Sequence, residues 1–400
     1  MQLNSEVLNG VTYLTGSADI IKKLITVPAL VPFTDTIVDF LNDVSREVMQ
    51  DSRSKAYSDI ITFAFWIRKG SVLKLKERFN RAGFYLGKGV AFHIAPSNVP
   101  VNFAYTLAAG LLCGNANVVR VPSKDFPQVF IIIDALNRVL LKYEILRPYV
   151  LCVRYSRDKA INDFFSSIAD VRIIWGGNQT ISELRKSELP PRTGDITFAD
   201  RYSLAVIDSE SYLAIGDKNR VAEDFYNDTY FTDQNACTSP KIIIWTGKRI
   251  NEAKELFWAT VHKLVENKYS FQTIQGVNKL TKAYLVAVRN PGVKVVQHDD
   301  NLIIRVKVYE ITNELMDFRD NSGYFYEYDS KDILDIIPLC NDKRCQTIAY
   351  IGNKNVFLPL IKAGIKGIDR VVPMGQTMDF DLIWDGYELF AYLTRRVVFL

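Results

Sequence analysis

From residue 87 onward, short apolar segments alternate with longer segments of helical spacing, and this order constrains the fold more than any other feature of the chain. A strand is predicted at 90–95, a helix at 102–113 and a second strand at 117–121. Strands that alternate with helices of this length pair in parallel, because the helix carries the chain back to the start of the sheet. The pattern therefore predicts an α/β fold with a doubly wound, Rossmann-type sheet, which binds nucleotides at the carboxyl ends of its strands.

The alternation continues through the first half of the chain and starts again near residue 241. In the first half we predict further strands at 149–153, 171–175 and 203–207, and helices near 126–143 and 158–168. In the second half we predict a helix near 251–268 and strands at 241–245, 283–288, 302–309, 323–328 and 347–351. A chain of 400 residues exceeds what one core usually organises. We expect an N-terminal helical region with a cofactor-binding domain (1–208), a second α/β catalytic domain (209–375), and a tail (376–400) that returns to the cofactor domain or to a subunit interface.

Composition and charge exclude several classes of protein. The chain has 49 basic and 45 acidic residues, and no Lys/Arg block is long enough to bind a polyanion, so nucleic acid is not an expected partner. Residues 1–6 lack the basic start and apolar run of a secretory signal, and the apolar stretches are too short to span a bilayer. Five cysteines without a C-x-x-C pair fit reduced thiols, and the three scattered histidines (His93, His262, His298) argue against a metal site. We expect a cytoplasmic protein without a metal.

Cys237 lies in the segment 234–241, Gln-Asn-Ala-Cys-Thr-Ser-Pro-Lys, directly before the apolar run 242–245. A thiolate is a strong nucleophile, and a turn that enters a strand can present backbone N–H groups to the thiolate and to an oxyanion formed on its substrate. The alternative interpretation is a buried structural thiol, since free cysteine is among the most often buried residue types. The local sequence alone leaves both open.

A second motif lies upstream. It consists of the loop 93–100 (His-Ile-Ala-Pro-Ser-Asn-Val-Pro), a helix, a Gly-Asn stop and a strand that ends in Arg120-Val-Pro-Ser123. This order resembles the nucleotide-binding half of the aldehyde dehydrogenase superfamily. In that superfamily the loop asparagine donates its side-chain amide to the substrate oxygen, and the basic residue after the second strand contacts the adenosine ribose. The resemblance assigns these roles to Asn98 and Arg120 and makes Cys237 the catalytic cysteine.

More narrowly, the chain resembles the LuxC-type acyl-CoA reductases, the reductase subunits of bacterial fatty-acid reductase complexes. The resemblance is carried by residues 236–240, the Asn98 loop, and the tail 370–386, whose Asp-Phe-Asp-x-x-Trp-Asp-Gly run is rare in composition. It implies an acyl-CoA or acyl-protein thioester as the acyl donor, an acyl-protein synthetase subunit as a partner, and a homo-oligomer (dimer or tetramer). The closing residues 395–400 are expected to form a strand that can pair with a neighbouring subunit.

The expected chemistry follows from the residue types. The Cys237 thiolate attacks the thioester, negative charge collects on the carbonyl oxygen, and departure of the original thiol leaves acyl-Cys237. The Asn98 amide and the Cys237 backbone N–H stabilise that oxyanion, each by about 3 kcal/mol if they resemble other oxyanion-hole donors. Hydride from a nicotinamide then gives a thiohemiacetal, which releases the aldehyde and the thiol.

A missing residue favours reduction over acid formation. Hydrolytic members of the superfamily carry a glutamate in a Glu-Leu-Gly-Gly-Lys segment, which activates water against the acyl-enzyme. The comparable segment here, 197–202, reads Thr-Phe-Ala-Asp-Arg-Tyr, with no glutamate and no Gly-Gly. Without that base the acyl group survives for hydride reduction. Asp200 is the nearby carboxylate, and we interpret it as an exposed or ion-paired loop residue.

The choice of cofactor rests on Arg120. NAD sites present an acidic side chain to the ribose 2′-hydroxyl, whereas a 2′-phosphate prefers a basic one. Because the four residues after Arg120 include no acid, we predict NADPH, bound by Arg120 and Ser123; the alternative is that Arg120 and Lys124 lie in solvent at the sheet edge. Gly176 and Gly177, after the predicted strand 171–175, are expected to approach the pyrophosphate, although Gly-Gly alone indicates only a turn.

The sequence therefore predicts an NADPH-dependent reductase that converts an acyl thioester to an aldehyde through acyl-Cys237. A CoA-acylating aldehyde dehydrogenase that works oxidatively on a small aldehyde would use the same residues. A non-catalytic subunit that binds an acyl-carrying partner would keep the fold with an unreactive Cys237. A contact between Glu327 and the nicotinamide ribose stays an open alternative, since the family's Glu-x-Phe-Gly-Pro pattern is missing.

Overall fold

The computed structural model describes residues 7–79, 83–290, 292–297, 299–312 and 314–399. The chain divides into two compact units. Unit 1 contains the described residues up to Ala199 and from Phe380 onward, and unit 2 is Asp200–Asp379. His298 and residues 1–6, which enter the predictions above, lie outside the described residues.

Unit 1 begins with helices and continues as an α/β layer structure. Its helices before residue 200 are α1 Ala18–Leu24, α2 Asp35–Gln50, α3 Ser58–Ile67, α4 Lys69–Arg78, α5 Asn102–Leu112, α6 Pro127–Leu140, α7 Lys159–Ser167 and α8 Asn178–Leu184. Its strands before residue 200 are β1 Thr12–Thr15, β2 Phe84–Gly87, β3 Val90–Ile94, β4 Ala116–Arg120, β5 Val150–Arg154, β6 Val171–Trp175 and β7 Gly194–Phe198.

The main sheet of unit 1 has the strand order β1-β5-β4-β3-β6-β7. All neighbouring pairs are parallel except β1 with β5. From β3 the chain moves outward through β4 to β5 and then crosses to β6 on the other side of β3. This reversal of direction makes a topological switch point between β3 and β6, where doubly wound sheets bind ligands at the carboxyl ends of their strands.

Unit 2 is a second α/β unit. Its helices are α9 Ser209–Ala214, α10 Lys218–Asp228, α11 Ile250–Lys268, α12 Thr273–Arg289, α13 Ile337–Cys340 and α14 Leu358–Lys362. Its strands are β8 Tyr202–Asp208, β9 Pro240–Thr246, β10 Lys294–Gln297, β11 Ile304–Lys307, β12 Tyr324–Asp329, β13 Cys345–Ile351 and β14 Arg370–Pro373. They form one sheet in the order β10-β11-β12-β9-β8-β13-β14, parallel apart from β10.

Both faces of this sheet are covered. Along β9, Ile242 and Ile244 belong to one core cluster, whereas Ile243 and Trp245 belong to another. Alternate residues of a strand point to opposite faces, so a strand covered on both sides needs a continuous apolar run. This explains why β9 could be predicted from the sequence.

The tail returns to unit 1 and forms the elements β15 Ile383–Trp384, β16 Tyr387–Glu388, α15 Leu389–Leu393 and β17 Thr394–Val397. Asp385 and Gly386 connect β15 to β16 with φ angles of 52° and 74°, as a two-residue hairpin turn requires. β17 pairs antiparallel with β2 of the same chain. One edge of the strand expected at 395–400 is therefore occupied within the chain.

The observed divisions lie at 199/200 and 379/380, whereas the sequence placed them at 208/209 and 375/376. The first difference arises because β8 pairs with β9 and β13, so it is an interior strand of the second sheet. The second arises because the segment after β14 stays in unit 2, where the Arg370 guanidinium donates to the carbonyl oxygens of Thr377 (3.0 Å) and Asp379 (3.1 Å).

One predicted strand is wrong. Residues 283–288 belong to α12, not to a strand. The buried residues of α12 are Gly276, Lys279, Ala283 and Val286, and their spacing of three or four is helical. A short apolar run does not by itself distinguish a strand from a helix, and here the run is the end of a longer helical pattern.

None of the described helices combines the length and the apolar character needed to cross a membrane. Among the described residues there is also no group of three or more His, Cys, Asp or Glu side chains that could hold a metal ion.

Candidate functional site

The residues predicted to bind cofactor and substrate oxygen in unit 1 follow strands at one edge of the sheet. Ile94, at the end of β3, is in register with Arg120 of β4 and with Ile174 of β6. The Asn98 loop therefore leaves β3 at the level where β4 ends in Arg120 and where β6 leads into Gly176. We call this the carboxyl edge: the loops that follow β3, β4 and β6, beside the switch point.

Exposure along the carboxyl edge is uneven. Asn98 and Ser123 are exposed, and Arg120 is partly buried. The Arg120 guanidinium donates to the carbonyl oxygens of Tyr155 (3.2 Å) and Ser156 (3.3 Å) and lies 4.4 Å from the centre of the Tyr155 ring. Two acceptors and an aromatic face orient this cation without neutralising it, and none of these partners is a carboxylate. Arg120 thus remains able to bind a phosphate.

Gly176 and Gly177 connect β6 to α8. Gly177 is the N-cap residue of α8, with a φ of −65° that other residues also adopt. A Cβ atom on Gly177 would meet nothing within 4 Å, and one on Gly176 would lie 3.2 Å from Thr180. Neither the backbone conformation nor packing within unit 1 therefore requires glycine at position 177. Close approach of a ligand is another reason for glycine at such a turn.

Cys237 lies in unit 2, in a turn that leads into the amino end of β9. Of the five cysteines, all of which are described, Cys237 is partly exposed and the other four are buried. Burial raises the pKa of the Cys152 and Cys340 thiols to about 12 and raises that of Cys113 and Cys345 as well. Only Cys237 is thus placed to react with a molecule from solvent.

We call residues 233–240 the nucleophile turn. It begins with two consecutive left-handed residues, Asp233 (φ 52°) and Gln234 (φ 53°). For residues other than glycine this conformation costs about 1–3 kcal/mol each and persists only where surrounding contacts impose it. Further along the turn, Ser239 N–H donates to the Ala236 carbonyl (3.0 Å) and the Ser203 hydroxyl donates to the Cys237 carbonyl (2.8 Å).

The Gln234 side chain is buried and makes four hydrogen bonds. Its oxygen accepts from the N–H groups of Gly323 (2.7 Å) and Tyr324 (3.1 Å), and its amide donates to the carbonyls of Pro240 (3.1 Å) and Tyr324 (3.2 Å). Gln234 therefore joins the nucleophile turn to residues 320–324, which precede and enter β12. We call residues 320–324 the anchor segment.

Lys241 follows the nucleophile turn and is also buried. Its ammonium group donates to the Gln234 carbonyl (2.6 Å), the Asn321 side-chain oxygen (2.5 Å) and the Asp320 carbonyl (3.1 Å). Burial and, to a smaller extent, the nearby Arg319 lower the pKa of Lys241 to about 7. Two buried side chains thus hold the two ends of the turn that carries Cys237.

Another buried group, Asp228 at the end of α10, holds the loop that follows β14. Its carboxylate accepts from the N–H groups of Gly375 (2.6 Å) and Thr377 (3.0 Å) and from the Thr377 hydroxyl (2.9 Å). Burial raises its pKa to about 7, although these three donors act in the opposite direction. In the same loop, Met378 Sδ accepts a hydrogen bond from the Thr238 hydroxyl at 3.1 Å, so this loop contacts the nucleophile turn.

Three residues considered in the sequence have partners in the structure. Asp200 is more than half exposed and forms an ion pair of 2.7 Å with Arg319. Glu327 is buried and accepts from the indole N–H groups of Trp245 (3.0 Å) and Trp258 (2.7 Å), so its carboxylate is engaged inside unit 2. His93 is buried in unit 1, where its ring nitrogens bond to Thr106 (2.6 Å) and Asn117 (3.0 Å).

Comparison with known proteins decides the family. The family model described as acyl-CoA reductase (LuxC) matches residues 70–396. The chain belongs to the LuxC family. A relative in this family, the long-chain acyl-protein thioester reductase of Aliivibrio fischeri, is 24% identical over 358 residues, which are 86% of this chain and 71% of the relative. Matches to three further relatives span only 34% to 60% of the relatives' lengths.

Solved structures confirm the aldehyde dehydrogenase-like fold predicted for this LuxC family member. An NAD-dependent benzaldehyde dehydrogenase from Corynebacterium glutamicum matches with a TM-score of 0.62 at 15% identity, covering 94% of this chain and 87% of that chain. The glyceraldehyde-3-phosphate dehydrogenase GapN from Methanocaldococcus jannaschii, complexed with NADP, matches with a TM-score of 0.64 at 12% identity, covering 94% and 91%. The same fold therefore occurs with either nicotinamide dinucleotide, and fold alone does not choose between them.

Sequence reasoning quoted Gln234 and Lys241 as parts of a motif but gave them no role, and it missed Asp228 and Ser203. Polar residues of this kind are individually common, and their partners are distant in sequence. The sequence does contain one indication for Lys241: it lies at the apolar start of β9. A lysine buried at such a position needs hydrogen-bond acceptors from other segments.

Proposed function

We propose that this protein reduces an acyl thioester to an aldehyde, with Cys237 as the nucleophile, Asn98 as the oxyanion donor and NADPH as the hydride source. The observation that carries the proposal is the placement of Cys237. It is the partly exposed cysteine among five, and it lies in a turn whose ends are fixed by buried polar side chains. Membership of the LuxC family and its relatives' names support the thioester as substrate.

The carboxyl edge of unit 1 fits a nicotinamide dinucleotide. Loops at the switch point of a doubly wound sheet receive such ligands, and Arg120 presents a guanidinium there that no carboxylate neutralises. Arg120 and the exposed Ser123 would hold the ribose 2′-phosphate, and the backbone at Gly176 and Gly177 would approach the pyrophosphate. When bound, the cofactor supplies a hydride.

The residues of this chain carry the remaining chemistry. The Cys237 thiolate forms a bond to the carbonyl carbon of the thioester, and the carbon–sulfur bond to the original thiol breaks, so that thiol leaves with the electron pair and takes up a proton. The Asn98 amide donates to the oxygen on which charge develops. Addition of hydride to acyl-Cys237 and of one proton to its oxygen gives a thiohemiacetal, which separates into aldehyde and the free Cys237 thiol.

Survival of the acyl-enzyme is part of the proposal. The segment that holds the water-activating glutamate in hydrolytic members of the superfamily has Asp200 here, and its carboxylate is paired with Arg319 at 2.7 Å. The ion pair engages a carboxylate oxygen, and this competes with its use as a proton acceptor for water. Acyl-Cys237 is therefore expected to wait for hydride rather than to hydrolyse.

The test mixes the protein with acyl-CoA thioesters of increasing chain length and with an acylated carrier protein, first without and then with NADPH. Intact-protein mass spectrometry should show a single acyl adduct without NADPH, and aldehyde should form with stoichiometric oxidation of NADPH. Cys237→Ala should abolish both. The buried Cys340→Ala variant is the matched control and should retain both.

Other results would replace the proposal with a specific alternative. Formation of acyl-CoA from aldehyde, CoA and NADP, without detectable reduction of any thioester, would indicate an oxidative CoA-acylating enzyme. Absence of an acyl adduct with every donor, although Cys237 reacts with a simple alkylating agent, would contradict thioester reduction and favour a binding subunit.

A further inference from the structure

We propose that Lys241 is a positioning residue: by joining the nucleophile turn to the anchor segment, it holds the Cys237 thiol in its reactive placement. This inference rests on the proposed function, since it assigns a role in the reaction of Cys237. It concerns a residue that would not itself touch the substrate.

The hydrogen bonds of Lys241 account for all three of its N–H groups. Their acceptors are the Gln234 carbonyl, the Asn321 side-chain oxygen and the Asp320 carbonyl, at 2.6, 2.5 and 3.1 Å. An ammonium group has three donors, so this site satisfies it fully. None of these acceptors is a carboxylate, so the direct hydrogen bonds of the ammonium group all go to neutral groups, although the residue is only 5% exposed.

A buried cation without a neutralising partner is costly. The charged groups that act on Lys241 are Arg319, which repels it, and three carboxylates that attract it without accepting one of its hydrogen bonds, Asp320, Asp233 and Asp200. An apolar side chain of similar length would avoid the loss of hydration at this position. A contribution to stability is therefore a poor explanation for a buried lysine at this position. Its hydrogen bonds do link the nucleophile turn to the anchor segment.

The link encloses Cys237. The bond from Lys241 to the Gln234 carbonyl joins residues seven positions apart, and Cys237 lies between them. The accepting carbonyl belongs to the second left-handed residue of the turn, a conformation that needs external contacts to persist. Gln234 adds a second attachment through Gly323 and Tyr324. Without Lys241, the turn would keep the Gln234 side-chain bonds and its other backbone hydrogen bonds but lose the bond that holds the Gln234 carbonyl.

Unit 2 contains a matched control. Lys279 of α12 is also buried, and its ammonium donates to the carbonyls of Asn301 (2.5 Å), Ser322 (2.6 Å) and Leu302 (3.4 Å). Burial lowers the pKa of Lys279 to about 8. Lys279 thus resembles Lys241 in chemistry and even binds the same anchor segment, but none of its three acceptors belongs to the nucleophile turn.

The experiment compares Lys241→Met with Lys279→Met in the full-length protein. The readout is the rate at which iodoacetamide alkylates Cys237, measured by mass spectrometry from pH 5 to 10, with thermal unfolding recorded for each variant. We expect the alkylation midpoint of Lys241→Met to lie about one pH unit above that of the wild type, which lowers the rate at pH 7 about tenfold. Lys279→Met should keep the wild-type midpoint at a comparable loss of stability.

Equal shifts in both variants, or no shift in either, would overturn the positioning role. If Lys241→Met does not fold, Lys241→Gln decides the question, because a shorter side chain with two N–H groups cannot make all three hydrogen bonds of the lysine. A rise in the alkylation midpoint supports the proposal, and an unchanged midpoint contradicts it. Alkylation needs no acyl donor, so a wild-type protein that is alkylated but never acylated would refute the proposed function while the comparison of the two lysines still holds.

Discussion

The carboxyl edge of unit 1 and the nucleophile turn of unit 2 are built in opposite ways. At the carboxyl edge, Asn98 and Ser123 are exposed, and Arg120 is held by two carbonyls and a ring. The nucleophile turn is held by the buried side chains of Gln234 and Lys241. An edge that exchanges ligands has to keep its polar groups available, whereas a nucleophile has to keep one geometry through every cycle. Mutations in the two regions should therefore differ in kind.

The largest effect should come from the carboxyl edge and should leave stability unchanged. Asn98→Ala removes a donor to the oxyanion, and kcat should fall about 100- to 1000-fold. Because Asn98 is exposed, its thermal unfolding should match that of the wild type. Ser97→Ala, in the same exposed loop, should change neither kcat nor unfolding. A loss of activity in Asn98→Ala accompanied by unfolding would break the distinction between the two regions.

The second effect concerns stability in unit 2. The pKa of Asp228 is about 7 in the folded protein and about 4 in an unfolded chain, because burial disfavours the carboxylate. A group with a raised folded pKa contributes stability at low pH that is lost as the pH rises through that pKa. Relative to Asp228→Asn, the wild type should lose up to about 3 kcal/mol of unfolding free energy between pH 5 and pH 8.

Urea unfolding of both proteins at the two pH values measures this difference. A difference that does not change with pH would mean that the donors from Gly375 and Thr377 keep Asp228 ionised throughout. Asp217→Asn is the control, because it removes an exposed carboxylate from the other end of α10, where Asp217 caps the start of the helix. Its effect on unfolding should be smaller than that of Asp228→Asn.

The third effect is selective binding at the carboxyl edge. Arg120→Ala should weaken NADPH binding about ten- to a hundredfold, because it removes a hydrogen bond between two charged groups. NADH binding should be unchanged. Fluorescence titration of the two cofactors measures both constants. Arg185→Ala removes an exposed arginine elsewhere in unit 1 and serves as the charge control. Equal weakening of NADPH and NADH would assign Arg120 to another part of the cofactor.

The smallest expected effect concerns the lifetime of the proposed acyl-enzyme. Arg319→Ala breaks an ion pair with the largely exposed Asp200 and a hydrogen bond from the mostly buried Arg319 to the Met316 carbonyl, so stability should fall by about 1–2 kcal/mol. Acyl-Cys237 prepared without NADPH should decay as slowly in this variant as in the wild type. Faster decay, followed by mass spectrometry, would identify Asp200 as a base that Arg319 keeps inactive.

The same contrast explains how much could be predicted from sequence. The strand at 171–175 was predicted residue for residue, and β3, β4 and β9 to within one residue, because parallel strands covered on both faces require continuous apolar runs. The residues of the carboxyl edge follow such strands directly, so their common placement was predictable. The run 283–288 was misread because its helical period is visible only over the whole of α12.

The contacts that hold the nucleophile turn could not be predicted in this way. The side chain of Gln234 bonds to Tyr324, 90 positions away, and Asp228 bonds to Thr377, 149 positions away. Such pairs depend on which loops the second sheet brings together, and periodicity carries no information about that. A buried lysine such as Lys241 departs from the apolar pattern of its strand, and departures of this kind are expected at functional sites.

The return of the tail to unit 1 has a consequence for synthesis on the ribosome. Phe380, Leu382, Trp384, Leu389, Phe390 and Leu393 all join the hydrophobic core that begins at Leu8. Translation produces these side chains only after every strand of the second sheet has been made. Unit 2 can therefore complete its sheet first, while the N-terminal half of the chain waits with an unfinished core, a period in which its apolar surface needs protection from aggregation.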